Sequence, residues 1–350
     1  MKPLELKFLL RPAIKALKPY SSARQEFIGG TKEMILLDAN ENPYPSEVNR
    51  YPDPMQWEFK KAIAQWKNCS PEQLFLSNGS DEVIAHLITA FCEPKEDHII
   101  LVPPTFGMYA VAANILGVTQ KNIPLTIDYQ LDTKSILEQA DNHSKMLFIP
   151  TPNNPTANSF KKGAILELVE KFPGIVCVDE AYAEFARANS FVNQLKSFSN
   201  LVVLQTFSKA QGMAGIRLGI TFAHKDIVTV LNKIKAPYNL NYLTQKAALA
   251  QLKAQDKIQE QVAVLLTERD RLIAEIEAIG FVEKVFPTDA NFFLIRVDDS
   301  LKRYTQLLKN GIVVRHTSKQ LLCENTLRIT VGLTKENDAL LAALRKMDAQ

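Results

Sequence analysis

The chain alternates short apolar runs with longer segments of helical spacing. Leu74-Phe75-Leu76, His98 to Val102, Lys145 to Ile149, Ile175 to Val178 and Leu201 to Leu204 have the length and β-branched content of buried strands. Further short strands are predicted near 119–123 and from Leu218 to Ala223. Between them, Met55 to Trp66, a stretch running on to Cys92, one ending near Gly117 and one over 163–172 carry apolar residues at helical spacing. This alternation predicts an α/β fold: a large domain with a mostly parallel sheet covered by helices.

From about residue 225 the pattern changes. Residues 225–236 and 242–279 read as helical, interrupted at Pro237-Tyr238-Asn239. Strands are predicted near 281–286, 291–297 and 326–331, and helices near 300–310 and 335–348, which makes a smaller α+β domain. A long helix in the 240–279 region would join the two. The predicted organisation is an N-terminal arm over 1–30 packing with the small domain, a large domain over 31–240 and a small domain over 241–350. Residues 35–54 contain Pro43, Pro45, Pro52 and Pro54, which forbid a helix and fix an extended, loop-like course.

Composition narrows the class. With 350 residues, 46% hydrophobic and 23% charged, the chain reads as a soluble globular protein. A net charge of +3 is too balanced for general nucleic-acid binding, so anion recognition must be local. No apolar run approaches the ~20 residues of a membrane span, and the N-terminus lacks a signal-peptide pattern. Cys69, Cys92, Cys177 and Cys323 show no metal-ligand spacing, and Cys177 lies in an apolar run as a core residue would. Scattered thiols and no export signal point to the cytoplasm.

Chemistry-bearing residues fall at the ends of the predicted strands. After Leu201 to Leu204 come Thr206, Ser208, Lys209, a run of small residues and Arg217. Hydroxyls and a guanidinium suit a phosphate, and small residues let the backbone approach a ligand. Asp179 follows Ile-Val-Cys-Val directly, so its carboxylate needs a partner at the edge of a buried strand. Gly79 then Ser80 and Asp81, before a helix, offer free backbone amides to an anion. Alone, each has an ordinary explanation: Phe106 as core, Tyr182 as a packing tyrosine, Asn153-Asn154-Pro155 as a turn, Lys209 and Arg217 as surface charges. Together they match what pyridoxal phosphate requires. That is a lysine, an acid for the ring nitrogen, donors to the ring oxygen (Asn154, Tyr182), an aromatic over the ring (Phe106) and a phosphate cup. Neither G-x-x-x-x-G-K-[ST] nor G-x-G-x-x-G occurs.

The set Asn153-Asn154-Pro155-Thr156, Asp179-Glu180-Ala181-Tyr182, Ser208-Lys209 and Arg217-Leu218-Gly219 resembles the fold-type I pyridoxal-phosphate aminotransferases over nearly the whole chain. Within that family the resemblance is to the histidinol-phosphate aminotransferases. It rests on Pro19-Tyr20-Ser21-Ser22-Ala23-Arg24, Ala39-Asn40-Glu41-Asn42-Pro43, Arg50-Tyr51-Pro52-Asp53-Pro54, Pro103-Pro104-Thr105-Phe106-Gly107-Met108-Tyr109, Ala236-Pro237-Tyr238-Asn239 and Leu327-Arg328-Ile329-Thr330-Val331-Gly332.

The resemblance implies that Lys209 carries the cofactor and shuttles the proton, that Asp179 pairs with the ring nitrogen, and that Asn154 and Tyr182 bond the ring oxygen. Phe106 would stack on the ring, and Ser80, Asp81, Thr206, Ser208 and Arg217 would hold the phosphate. Tyr51 would reach the cofactor phosphate of a second subunit, making a homodimer, while Arg328 would bind the carboxylate of glutamate or 2-oxoglutarate. Tyr20, Asn40 and Arg315 would take the phosphate and tail of histidinol phosphate. The chain departs from the family at Ala157, where glycine is usual, and at Gln211, where an aromatic is common. Two other reactions stay open on these residues: a phospho-amino-acid decarboxylase with the same cofactor, and a broader aromatic amino-acid transaminase.

Overall fold

The computed structural model describes residues 6–20, 34–186 and 189–349. Seven strands form the large sheet: β1 (Leu74–Ser77), β2 (His98–Leu101), β3 (Thr119–Asn122), β4 (Ser144–Pro150), β5 (Ile175–Asp179), β6 (Leu201–Thr206) and β7 (Gly219–Ala223), in the order β1-β7-β6-β5-β4-β2-β3. The pairs from β6 through β5, β4 and β2 to β3 are parallel, whereas β7 runs antiparallel to both β6 and β1. The mostly parallel sheet expected from the sequence is present.

Alternate residues of the central strands face opposite layers of helices, as the twofold period of a strand requires. Leu147, Ile149, Val176, Val178, Leu201 and Val203 enter one core; Met146, Phe148, Ile175, Cys177, Val202 and Leu204 enter the other. Both faces are covered, which is why these strands read as continuous apolar runs.

A second sheet, of β8 (Val282–Val285), β9 (Phe292–Val297), β10 (Arg315–His316) and β11 (Thr326–Thr330), has the order β10-β11-β9-β8 and is antiparallel throughout. The single helix expected in the 240–279 region is two helices, Tyr242–Leu252 and Gln255–Ile276, parted at Lys253-Ala254. The second is 22 residues long. Its early residues Ile258 and Val262 pack on Phe185 and Ala210 beside the large sheet, while Leu272 and Ile276 enter the core of the small one.

The described part of the arm lies against the large sheet's helices, not against the small sheet as the sequence suggested. Ile14 is buried with Val83, Ile84 and Leu87, and Arg11 bonds the Thr89 carbonyl at 2.9 Å and the Glu93 carboxylate. Lys233 donates to the Ile14 carbonyl at 2.7 Å. Ile14, the partly buried Leu6, Leu9 and Leu10, and these cation contacts seat the segment. The rest of the Tyr20 motif, from Ser21 to Arg24, falls outside the described residues.

Candidate active site

Topology gathers the polar residues. β4, β5 and β6 run parallel, with Pro150 opposite Asp179 and Asp179 opposite Leu204, so their carboxyl ends share one edge. Because β7 is antiparallel, its first residue Gly219 lies opposite Thr206, which brings Arg217 back beside Ser208. β1 ends next to β7, so the helix Ser80–Phe91 also opens there. The cavity at this edge is lined by Ser80, Asp81, Phe106, Tyr109, Asn154, Asp179, Tyr182, Thr206, Ser208, Lys209 and Arg217, among others.

Two glycines make the cup. Gly79 has φ +77°, and a Cβ on it would stand 2.6 Å from Arg217 Nη2. A Cβ on Gly219 would stand 2.6 Å from the Gly79 carbonyl carbon and 2.8 Å from Ser80 N. Only with both side chains absent can the guanidinium and the amino end of the helix sit this close. The result is a positive cradle facing open space, with Asp81 3.7 Å from Arg217 as a partial counter-charge. Thr206 sits in the wall, but its hydroxyl proton goes to the Leu218 carbonyl at 3.0 Å, and the oxygen accepts from Ser208 N at 3.1 Å. It shapes the turn that presents Ser208.

Asp179 is buried, and burial raises its pKa to about 6. Tyr109 Oη donates to Oδ2 at 2.7 Å and Ala181 N to Oδ1 at 3.0 Å, each partly offsetting that cost. Neither donor neutralises the charge, so the carboxylate is poised for a cation presented from the cavity. Lys209 is exposed, its surface being cavity lining. Partial burial, followed by repulsion from Arg328, nevertheless holds its pKa below the ordinary lysine range. Its Nζ lies 5.4 Å from the Tyr182 ring centroid. Burial lifts the Tyr182 hydroxyl to about 12, leaving it a donor at neutral pH.

Arg328, on β11 of the small sheet, reaches across to the cavity. Its Nη1 donates to Asn154 Oδ1, and its guanidinium lies 5.2 Å from the Phe292 ring centroid, with Phe292 packed edge-on to Tyr182. Arg328 Nε is buried without a partner. Arg315 is opposite Arg328 in the β10–β11 register and is exposed along a neighbouring groove. The remaining positions lie elsewhere. Tyr51 stacks on Tyr238 at 4.3 Å and, with Asn40, lines a separate cavity, while Tyr20 is exposed.

Sequence reasoning gave no role to Tyr109 and did not pair Gly79 with Gly219. Tyr109, in the first turn of the helix Met108–Ile115, packs edge-on at 5.5 Å against Phe106, which precedes that helix; its place beside Phe106 in the motif over residues 103–109 was the available signal. The departure at Ala157 is structurally real: this buried alanine has φ +67°, a conformation that suits glycine. Asp289 N donates to its carbonyl at 2.8 Å, and Ala290 and Phe292 pack around it.

The donor set fits pyridoxal phosphate. It offers a positive cradle for a dianion, a buried carboxylate lacking a cation, hydroxyl and amide donors between them, and one amine.

A buried acid, a depressed lysine and an anion cup at the carboxyl edge of an open sheet define a group-transfer enzyme that works through an amine. The chain belongs to the aminotransferase class I and II family, which matches residues 32–344. It is 48% identical over 349 residues to the histidinol-phosphate aminotransferase of Flavobacterium johnsoniae, covering 99% of this chain and 100% of that one. The crystal structure of the histidinol-phosphate aminotransferase from Clostridium acetobutylicum superposes with a TM-score of 0.80 at 28% identity, covering 86% of this chain and 91% of that one. The Sinorhizobium meliloti histidinol-phosphate aminotransferase, solved in complex with pyridoxal-5'-phosphate, superposes with a TM-score of 0.78 over 86% of this chain and 83% of that one. Its 21% identity makes that a likeness of fold.

Proposed function

We propose that the chain is a pyridoxal-phosphate-dependent transaminase that converts histidinol phosphate and 2-oxoglutarate to imidazole acetol phosphate and glutamate, in histidine biosynthesis. The observation that carries the chemistry is Lys209 and Asp179 standing in one cavity beside the Arg217 cup. The substrate rests on the name and full-length similarity of the Flavobacterium relative, which favours the transaminase over the decarboxylase and the broader aromatic enzyme.

Bound here, the cofactor supplies an electron sink that makes the Cα–H of an attached amino compound acidic. The residues supply the rest. Arg217, Ser208 and the amides at Ser80 and Asp81 would hold the phosphate, and Phe106 would pack against the ring. Asp179 keeps a proton on the ring nitrogen, in a setting where little water screens the pair. Asn154 and Tyr182 donate to the ring oxygen. Lys209, as a free amine, would be the base that moves the Cα proton, and its depressed pKa favours the neutral form. Arg328 grips the carboxylate of glutamate in two-pronged fashion. Arg315, next to it, serves the phosphate and tail of histidinol phosphate; Tyr20 and Asn40, which lie outside this cavity in their own chain, would join it only on substrate binding or from a second copy.

The working unit in this reading is a homodimer. Tyr51 lies outside its own chain's cavity, at the end of a segment that also leaves Ile35 and Leu37 88% exposed and Tyr44 81% exposed. So much open apolar surface favours a partner, and a second copy would carry Tyr51 to the other cofactor phosphate. The change of sheet between Ala223 and Val282 supports a division into a large and a small domain. Cytoplasmic location accords with four free cysteines, and no helix among the described residues is long and apolar enough to cross a membrane. Borohydride reduction of the holoenzyme followed by peptide mapping tests the assignment: the cofactor label belongs on Lys209, and a label on any other lysine refutes it.

A further inference from the structure

Gln211, two residues beyond Lys209, is buried. Its side chain forms a reciprocal amide pair with Gln255: Gln255 Nε2 donates to Gln211 Oε1 at 3.0 Å, and Gln211 Nε2 donates to Gln255 Oε1 at 3.3 Å. Gln251 Nε2 adds a bond to the Gln211 backbone carbonyl at 2.7 Å. Gln255 opens the helix Gln255–Ile276, and Ala210 packs on Ile258 and Val262 of that helix. The turn after Lys209 is thus fastened to the first turns of one helix.

The other end of the helix is fastened to the small sheet. Leu272 and Ile276 share a core with Leu327 and Ile329, the neighbours of Arg328 in β11. Arg269 Nη1 donates to the Ala290 carbonyl at 3.1 Å, just before β9. A helix of 22 residues is a rod about 33 Å long. The turn carrying Lys209 is therefore tied to the start of this helix and the strand carrying Arg328 to its end, while the two side chains themselves meet at the cavity.

We propose that Gln211 and Gln255 are positioning residues whose amide pair fixes the stance of Lys209 relative to Arg328. The inference rests on the reading of Lys209 as the reacting lysine. An apolar pair of similar size would fill the same space, but two facing amides bond in one register, which packing alone does not impose. The groups facing Lys209 are Asp179 and Asp81, which favour its charged form, Arg328 and Arg217, which oppose it, and the Tyr182 ring. A turn released from the helix lets the amine move toward solvent and away from Arg328, so its pKa climbs back toward the ordinary value.

The test uses the full chain freed of cofactor. Acetic anhydride labels amines across a pH series, and mass spectrometry follows the Lys209 peptide in wild type, Gln211→Met, Gln255→Met and the double variant. Wild-type Lys209 is expected to label with a midpoint below the ordinary lysine range. Each single variant should raise that midpoint by about 0.5–1 pH unit, and the double variant by no more than either single one. In the holoenzyme kcat should fall in each variant by a larger factor than KM for glutamate changes. If Gln211→Met does not fold, Gln255→Met, altered only on the helix, carries the test. A depressed wild-type midpoint with unshifted or additive variants overturns this inference alone. A wild-type Lys209 that labels like an ordinary lysine also overturns this inference, whereas the functional reading fails only if the borohydride label misses Lys209.

Discussion

The hydroxyl of Tyr109 donates to Asp179 Oδ2 across 2.7 Å, and both residues are buried. Tyr109 is also held by stacking on Phe148 at 4.8 Å, so the donor is fixed before any ligand arrives. Each oxygen of Asp179 thereby has one protein donor, Tyr109 or Ala181, with room left for a cation. Removing the hydroxyl should raise the carboxyl's pKa above its present value of about 6 and weaken its hold on a protonated ring. For Tyr109→Phe we expect cofactor affinity to fall by about 10–100-fold, the worth of one hydrogen bond to a charged group. Equilibrium dialysis of the cofactor checks this, and unchanged affinity would remove Tyr109 from the site.

Asp179 should also cost the cofactor-free protein stability. Its pKa is about 6 when folded, against 3.8 as the ordinary value. Between those values the folded state binds the extra proton, so the cost of the buried charge is fully present above pH 6 and fades toward pH 4. Cofactor-free Asp179→Asn should therefore be more stable than wild type by on the order of 2–3 kcal/mol at pH 8, with the gap closing near pH 4. Denaturant unfolding at the two pH values measures it. Equal stability at pH 8 would contradict the burial account.

Gly219→Ala tests the cup. The added Cβ meets backbone atoms of Gly79 and Ser80, which cannot swing aside as a side chain could. A loss of about 1–3 kcal/mol in folding stability is expected, with weaker phosphate binding because the helix end is pushed away. Thermal unfolding and titration with inorganic phosphate read the two effects separately.

Much of this site was legible in the sequence. Asp179 and Lys209 stood out because apolar runs end at or shortly before them, and a run buried on both faces leaves a clear boundary. The contact between Arg328 and Asn154 was not legible from spacing, since 174 residues and a change of sheet separate them. Tyr109 was hidden because a buried tyrosine has the same apolar neighbours whether or not its hydroxyl has work to do. The approach of Gly219 to Gly79 was hidden because a close contact between two distant turns leaves no local pattern. The break at Lys253-Ala254 was missed for want of a proline or glycine to mark it.

Tyr51 offers a test of the dimer. Stacked on Tyr238, it cannot serve the cavity of its own chain. Tyr51→Phe should weaken cofactor binding by about tenfold. Randomly mixed dimers of Lys209→Ala with Tyr51→Phe should regain roughly a quarter of wild-type activity at limiting cofactor, because each mixed dimer has one intact site. Activity no higher than the sum of the parents would place Tyr51 outside the shared site.

The most direct measurement is a half-reaction with the holoenzyme, followed by cofactor absorbance. Added histidinol phosphate should convert the bound cofactor to its amine form at one equivalent per subunit. Added 2-oxoglutarate should then restore the starting spectrum, with glutamate formed in equal amount. Phosphothreonine should give neither the spectral change nor carbon dioxide. A holoenzyme that ignores histidinol phosphate, or that releases carbon dioxide from phosphothreonine, would contradict the account.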